Sequence, residues 1–133
     1  EHSGHFYFRD FWYADSGMLA ALHVIAALGQ TSETTNFSSL IKEFDRYVAS
    51  GEINTKVKNV TETSNLVKAH FATNPEVEID ELDGLTFSAP DWWVNVRPSN
   101  TEPLLRLNAE AKQRATMEKV RDEALSIIRK DAV

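Results

Sequence analysis

Two regimes of hydrophobic patterning run along the chain. The segment "MLAALHVIAALG", residues 18–29, is apolar almost all the way round, the pattern of a helix covered on several sides. Asp15 or Ser16 can cap its start, and Gly29 can close it in a left-handed conformation. Ahead of it lies an irregular aromatic run, "HFYFRDFWYADSG". Residues 30–36, "QTSETTN", are polar and aperiodic, and read as a linker between residues 1–29 and a second domain over 37–133.

Beyond the linker the period changes repeatedly. Phe37, Leu40, Ile41, Phe44, Tyr47 and Val48 recur at helical spacing, and Gly51 closes that segment. Ile53, Thr55 and Val57 alternate with polar neighbours, as in a strand with one buried face. A helix from about Thr61 is expected to bury Leu66, Val67, His70 and Phe71 and to stop at Asn74 and Pro75. "VEIDELDGLTFSA" alternates on both sides of Asp83 and Gly84, a hairpin signal. "DWWVNV" and "LLRLNAEA" are two further strands, and a helix from about Glu110 buries Met117, Val120, Ala124 and Ile127 or Ile128. Consecutive strands with short turns and helices at either end of the run predict an α+β fold, a mostly antiparallel sheet with helices packed on one face.

Composition narrows the chemistry. With 133 residues, 42% of them hydrophobic and 26% charged, the chain has the make-up of a globular protein with one real core. It has no cysteine, which excludes disulfides, thiolate metal sites and thiol catalysis. No apolar run approaches the roughly 20 residues that span a bilayer, and the first residues lack the pattern of a signal peptide, so the reading is a cytoplasmic protein without a membrane partner. A formal net charge of -6 opposes a nucleic-acid backbone, so any anion must be held by local geometry.

Against that background "RPSNTEP", residues 97–103, stands out. If the flanking strands pair with Arg97 opposite Leu104 and Asn95 opposite Arg106, then Asn95, Arg97 and Arg106 share one face. Two guanidinium groups would flank one loop mouth, where Ser99, Asn100 and Thr101 offer hydroxyls, a carboxamide and backbone amides. Arginine suits phosphate because its planar fork donates two parallel hydrogen bonds. An ordinary turn is the competing reading, since turns favour these residue types; the second arginine on the same face tilts the balance toward an anion site.

The N-terminal "EHSGHFYFRD" offers Glu1, Ser3 and His5 as possible contacts to sugar hydroxyls, against the alternative of a loop whose polar residues are incidental. No G-x-S-x-G elbow supports a serine nucleophile, and neither H-E-x-x-H nor an aspartate-rich loop supports a metal. His23 and His70 fall in helical apolar patterns and read as packing residues, while Trp92 and Trp93 must point to opposite faces of their strand.

Taken together, "EHSGHFYFRD…DSG" and "RPSNTEPLLRLNAEA" resemble the C-terminal part of the α-D-phosphohexomutase superfamily, in its phosphomannomutase/phosphoglucomutase branch. The resemblance implies that residues 1–29 are the loop-and-helix end of an α/β third domain, and that 37–133 form a TATA-binding-protein-like fourth domain. It implies that Glu1, Ser3 and His5 contact the sugar, and that Arg97, Ser99, Asn100 and Thr101 bind the phosphate that is not transferred. Arg106 joins them on the strand-face argument. The partners implied are a mannose or glucose 1- or 6-phosphate, its bisphosphate intermediate and the remaining domains. The Mg²⁺ and the phosphoserine of the family reaction belong to motifs absent from these residues, so the expectation is a fragment with no catalytic residue and no metal of its own. A non-catalytic phosphosugar- or protein-binding module is the alternative.

Overall fold

The structure is a computed structural model that describes residues 4–32, 35–42 and 44–133. It divides into two compact units, Glu1–Arg46 and Tyr47–Val133.

In the first unit, β1 (Tyr7–Phe8) and β2 (Ala14–Asp15) pair antiparallel, with Tyr7 opposite Asp15. The turn between them carries Trp12 and Tyr13 at φ of 53° and 54°, a left-handed conformation that aromatic residues rarely adopt. Helix α1 (Gly17–Gly29) is capped by Ser16, whose hydroxyl accepts from the Leu19 amide at 3.2 Å. Asp15, the other candidate, is engaged elsewhere. Gly29 does not close the helix in a left-handed turn; the helix runs on to Gln30, which ends it at φ −88°. Despite its apolar pattern, α1 buries none of its residues: Met18 is 77% exposed and Ile25 64%.

The predicted helix over Phe37 to Val48 is cut short. Helix α2 (Phe37–Lys42) starts at Asn36, whose side chain accepts from the Ser39 amide at 2.9 Å. Val48 instead enters β3 (Val48–Ala49), where it pairs with Ala111. Helical spacing over so short a stretch lost to a sheet partner sixty-odd residues away, a tertiary override of local pattern.

The second unit continues with β4 (Ile53–Lys56), α3 (Val60–Phe71), β5 (Glu78–Asp80), β6 (Leu85–Ala89), β7 (Trp92–Pro98), β8 (Leu104–Ala111), α4 (Arg114–Ile128) and a 3₁₀ turn at Arg129–Asp131. The six strands form one antiparallel sheet in the order β3-β8-β7-β6-β5, with β4 also on β8. Its strand β5 lies at one edge and β8 is central, flanked by β7 on one side and by β3 and β4 on the other. Ser50 makes the join between β3 and β4 possible, since its amide donates to Ala109 O at 2.8 Å while its hydroxyl accepts from Ala109 N at 2.9 Å. Gly51 turns the chain there at φ +69°; it is a bend between strands, not the helix stop its position suggested.

One face of the sheet is the core. Phe87, Val94, Val96, Leu105 and Leu107 are fully buried there, beneath Val67 and Phe71 of α3 and Met117, Val120, Leu125 and Ile128 of α4. Burying each such side chain contributes roughly 1.5–3 kcal/mol. Phe71 stacks on Phe87 with ring centroids 4.6 Å apart and leans on Trp92 at 5.9 Å, so Trp92 is the tryptophan on the core side. This is the predicted α+β sheet with helices on one face.

Two helix readings need correction. Helix α3 buries Thr63, Val67 and Phe71 and leaves Leu66 and His70 exposed, because Thr63 takes the inward position that an apolar count gave to its neighbours. Its hydroxyl donates to Asp131 Oδ2 at 3.0 Å, which makes the burial affordable. Helix α4 begins at Arg114, not near Glu110; Glu110 and Ala111 belong to β8.

Asp131 ties the chain end to the start of α3. Its carboxylate also accepts from the Asn59 amide at 2.8 Å, its carbonyl accepts from Lys58 N at 3.1 Å, and Val133 N donates to Lys56 O at 3.1 Å. The Asn59 amide first, against some desolvation and with help from Thr63 and Lys58, holds the Asp131 carboxyl below its ordinary pKa. A carboxyl depressed on folding stabilises the fold above its unfolded pKa of about 3.9, and that contribution is lost as pH falls through the lower folded value. Asp131→Asn is therefore expected to lower Tm at pH 7, and the gap to the parent should close below about pH 4; thermal melts across pH 7 to 2 check this, and a pH-independent gap would contradict it.

Two glycines with positive φ differ in their surroundings. Gly51 has open space where a Cβ would go, whereas a Cβ on Gly84, at φ +72°, would lie 2.5 Å from Arg97 Cβ and 2.7 Å from Val96 O. Gly51→Ala should cost about 1–2 kcal/mol, the left-handed penalty alone. Gly84→Ala should cost visibly more, because strand backbone would have to move; urea midpoints of the two variants provide the comparison.

Candidate functional site

The face of the sheet opposite the helices carries the polar residues of the central strands. Because side chains alternate along a strand, burying Val94 and Val96 turns Trp93, Asn95 and Arg97 of β7 outward. Burying Leu105, Leu107 and Ala109 does the same for Arg106, Asn108 and Glu110 of β8. The pairing places Arg97 opposite Arg106 and Asn95 opposite Asn108. The sequence-based register, with Arg97 opposite Leu104, was off by two residues. A slip of two preserves faces, so Asn95, Arg97 and Arg106 still share one side.

Two cations at directly facing positions repel one another. Each has a carboxylate nearby: Arg97 Nη1 lies 3.6 Å from Asp83 Oδ2, and Arg106 Nη1 lies 3.7 Å from Glu52 Oε1. Both separations are ion-pair contacts and too long for hydrogen bonds. Asp83 sits in the β5–β6 turn, on the β6 flank of β7; Glu52 precedes β4, on the far flank of β8. The forks are thus drawn toward opposite flanks of the β7–β8 pair, while their strands hold the Cα atoms face to face.

Both acids are themselves placed by hydrogen bonds. Asn54 Nδ2 donates to Glu52 Oε1 at 3.1 Å. Asn95 Nδ2 donates to Asp83 O and to Thr86 Oγ1, each at 2.9 Å, which fastens the turn to β7. The close approach of Gly84 to the Arg97 backbone completes that fastening. Neither Glu52 nor Asp83 stands out in the sequence: Asp83 reads as a turn residue, and Glu52 meets Arg106 only through the pairing of β4 with β8.

The loop 99–103 closes the β7–β8 pair just beyond the arginines. Ser99 N donates to Leu104 O at 3.0 Å, and Leu104 N to Glu102 O at 2.8 Å. Within it the Ser99 and Thr101 hydroxyls stand 3.4 Å apart, and the Thr101 amide points at Ser99 Oγ from 3.4 Å. Asn100 and Thr101 are exposed. One oxygen of an incoming anion could reach both hydroxyls at that spacing.

Of the N-terminal candidates, Glu1 and Ser3 lie outside the described residues. His5 Nδ1 is 2.6 Å from Asp15 Oδ2, and the Phe6 amide donates to Asp15 Oδ1 at 2.8 Å. Asp15 thereby orders the Gly4–Phe6 stretch, and the His5 bond, followed by the Phe6 amide, lowers its pKa. His23 stacks on Phe8 at 5.4 Å, and His70 bonds Glu123 at 2.6 Å, so both have structural partners. Among the described residues no group of three His, Asp or Glu is arranged to hold a metal ion. No helix among them is long and apolar enough to cross a membrane.

Comparison with known proteins bears on the chain in both units. Residues 52–127 match the family model described as phosphoglucomutase/phosphomannomutase, C-terminal domain, and residues 1–47 match that of its alpha/beta/alpha domain III. A phosphomannomutase of Methanocaldococcus jannaschii is 41% identical over 130 residues, covering 98% of this chain and 28% of that protein. A phosphomannomutase of Vibrio cholerae is also 41% identical, over 133 residues, with the same coverage of 98% and 28%. The crystal structure of a phosphoglucomutase/phosphomannomutase family protein from Burkholderia thailandensis superposes with a TM-score of 0.74 at 25% identity, covering 98% of this chain and 28% of that one. The chain therefore spans just over a quarter of the length of these relatives. A sheet whose central pair presents Arg97 and Arg106 beside a serine- and threonine-bearing loop, and matches to two successive domain models, lead to one assignment: the chain belongs to the phosphoglucomutase/phosphomannomutase family.

Proposed function

We propose that this chain is the C-terminal portion of a phosphohexomutase that interconverts hexose 1- and 6-phosphates, and that the loop 97–101 holds the phosphate that is not being transferred. The observation that carries the reading is the opposition of Arg97 and Arg106 at the root of a loop whose Ser99 and Thr101 hydroxyls stand 3.4 Å apart. Arg97 supplies a planar fork for two phosphate oxygens. Ser99 and Thr101 donate hydroxyl hydrogens, Asn100 offers its carboxamide, and Arg106 adds a second positive charge across the strand pair. Glu1, Ser3 and His5 would grip the sugar hydroxyls, with Asp15 keeping His5 in place. The names of the relatives support a mannose phosphate or a close analogue as substrate, and a reaction on phosphosugars suits the cytoplasm.

Phosphoryl transfer depends on positioning and on charge stabilisation. In this scheme the chain contributes positioning: it anchors one phosphate while the sugar reorients, and its closure excludes water. Mg²⁺, which assists transfer in such enzymes, has no suitable donor set among the described residues, and it would be held together with the reacting serine by the remaining domains.

Two outcomes are expected. Arg97→Ala in the complete enzyme should lower kcat/KM by about 2 kcal/mol or more, roughly thirtyfold, the scale of a lost charge-assisted hydrogen bond; unchanged kinetics would exclude the loop as the anchor. Glucose 1-phosphate titrated into the 133-residue chain should shift the amide resonances of residues 97–106 without any mutase turnover. Shifts confined to other regions would place the ligand elsewhere.

A further inference from the structure

Glu52 and Asp83 have no part in the phosphate-binding loop, yet they are the anions that stand beside its two arginines. We propose that they are resident counter-ions, and that phosphate binds by exchange, drawing Arg97 and Arg106 away from these carboxylates. The proposal rests on the reading of the loop as a phosphate site.

Three observations support exchange over permanent support. The contacts, at 3.6 Å and 3.7 Å, are too long to orient a guanidinium by hydrogen bonding. Each carboxylate lies on the outer flank of its arginine's strand, so the attraction pulls the forks apart. Moreover, each acid is fastened in place independently of its arginine, Glu52 by Asn54 and the Asp83 turn by Asn95, so an arginine can leave without dragging its counter-ion along.

Electrostatics then sets the sign of the effect. Without the carboxylates, two facing cations would strain the end of the β7–β8 pair. With them, the ligand-free sheet is relaxed, but an arriving phosphate meets two competing negative charges and must displace both. The Asp83 side chain is 78% exposed, so its attraction is screened and the exchange costs little; Glu52 is only 21% exposed and should be the stronger competitor. Glu52 and Asp83 act through the arginines and are positioning residues, not catalytic ones. They also confer selectivity: a dianionic phosphate can displace two carboxylates where a monoanion, such as a sugar carboxylate, cannot match their combined charge.

The test uses inorganic phosphate and the 133-residue chain, with affinity read from amide shifts at residues 97–106 and stability from Tm with and without phosphate. Glu52→Gln and Asp83→Asn should each tighten phosphate binding by about two- to fivefold, the range of a part-exposed ion pair, with the larger gain for Glu52→Gln. Both variants should melt lower than the parent without phosphate and recover more of that loss on adding it, a gain in affinity that a merely structural role would not produce. Asp91→Asn, which removes one negative charge at the other end of β7 beside Lys112, should leave affinity unchanged and so controls for net charge. Unchanged or weaker binding in both acid variants, while Arg97→Ala abolishes binding, would overturn the exchange alone. Arg97→Ala binding like the parent would overturn the phosphate site and the exchange with it.

Discussion

The antiparallel pairing of β7 with β8 is the constraint on which the candidate site depends. It is the central pair of the sheet, and one register decides everything on both faces at once. Val94, Val96, Leu105, Leu107 and Ala109 are buried on the helix side, and their alternation leaves Asn95, Arg97, Arg106 and Asn108 no choice but the open side. The repulsion between Arg97 and Arg106 is thus maintained by hydrophobic burial elsewhere: moving either arginine out of opposition means a register slip that would expose part of the core. A functional site with an unfavourable charge arrangement is held by a core that has no functional role of its own.

The neighbouring structure accommodates that arrangement. Gly84 brings the β5–β6 turn against the backbone of Arg97, Asn95 locks the turn, and Asp83 supplies a charge. On the other flank, Ser50 and Gly51 bend the chain between β3 and β4 so that Glu52 arrives beside Arg106. Both devices are turns, where backbone freedom makes side-chain placement possible, and both are fastened to the central pair by side-chain amide or hydroxyl groups.

Much of this was legible in the sequence, and the limits have physical causes. Strict alternation through "WWVNVR" and "LLRLNAEA" was enough to assign faces, which tolerate a register error of two, as the Arg97–Leu104 expectation shows. The hairpin at Asp83 and Gly84 and the face of α4 follow from local pattern. What failed depended on distant partners. Thr63 is buried because Asp131 completes its hydrogen bond, and Val48 is a strand residue because Ala111 lies beside it. The roles of Glu52 and Asp83 need the strand order β4-β8-β7-β6, which no local period encodes. The apolar helix α1 belongs to the same class: its pattern calls for cover, and within the first unit it buries nothing.

The edge strand β5 has one more consequence. A sheet border offers unpaired amides and carbonyls to any passing chain, and an apolar border invites fibrillar stacking. Here the border is three residues long and presents Glu78 and Asp80 outward, followed at once by Glu81 and Asp83. Two copies meeting along it would bring eight like charges together, so this protein's acidity, unhelpful to an anion-binding loop, doubles as insurance against self-polymerisation at high concentration.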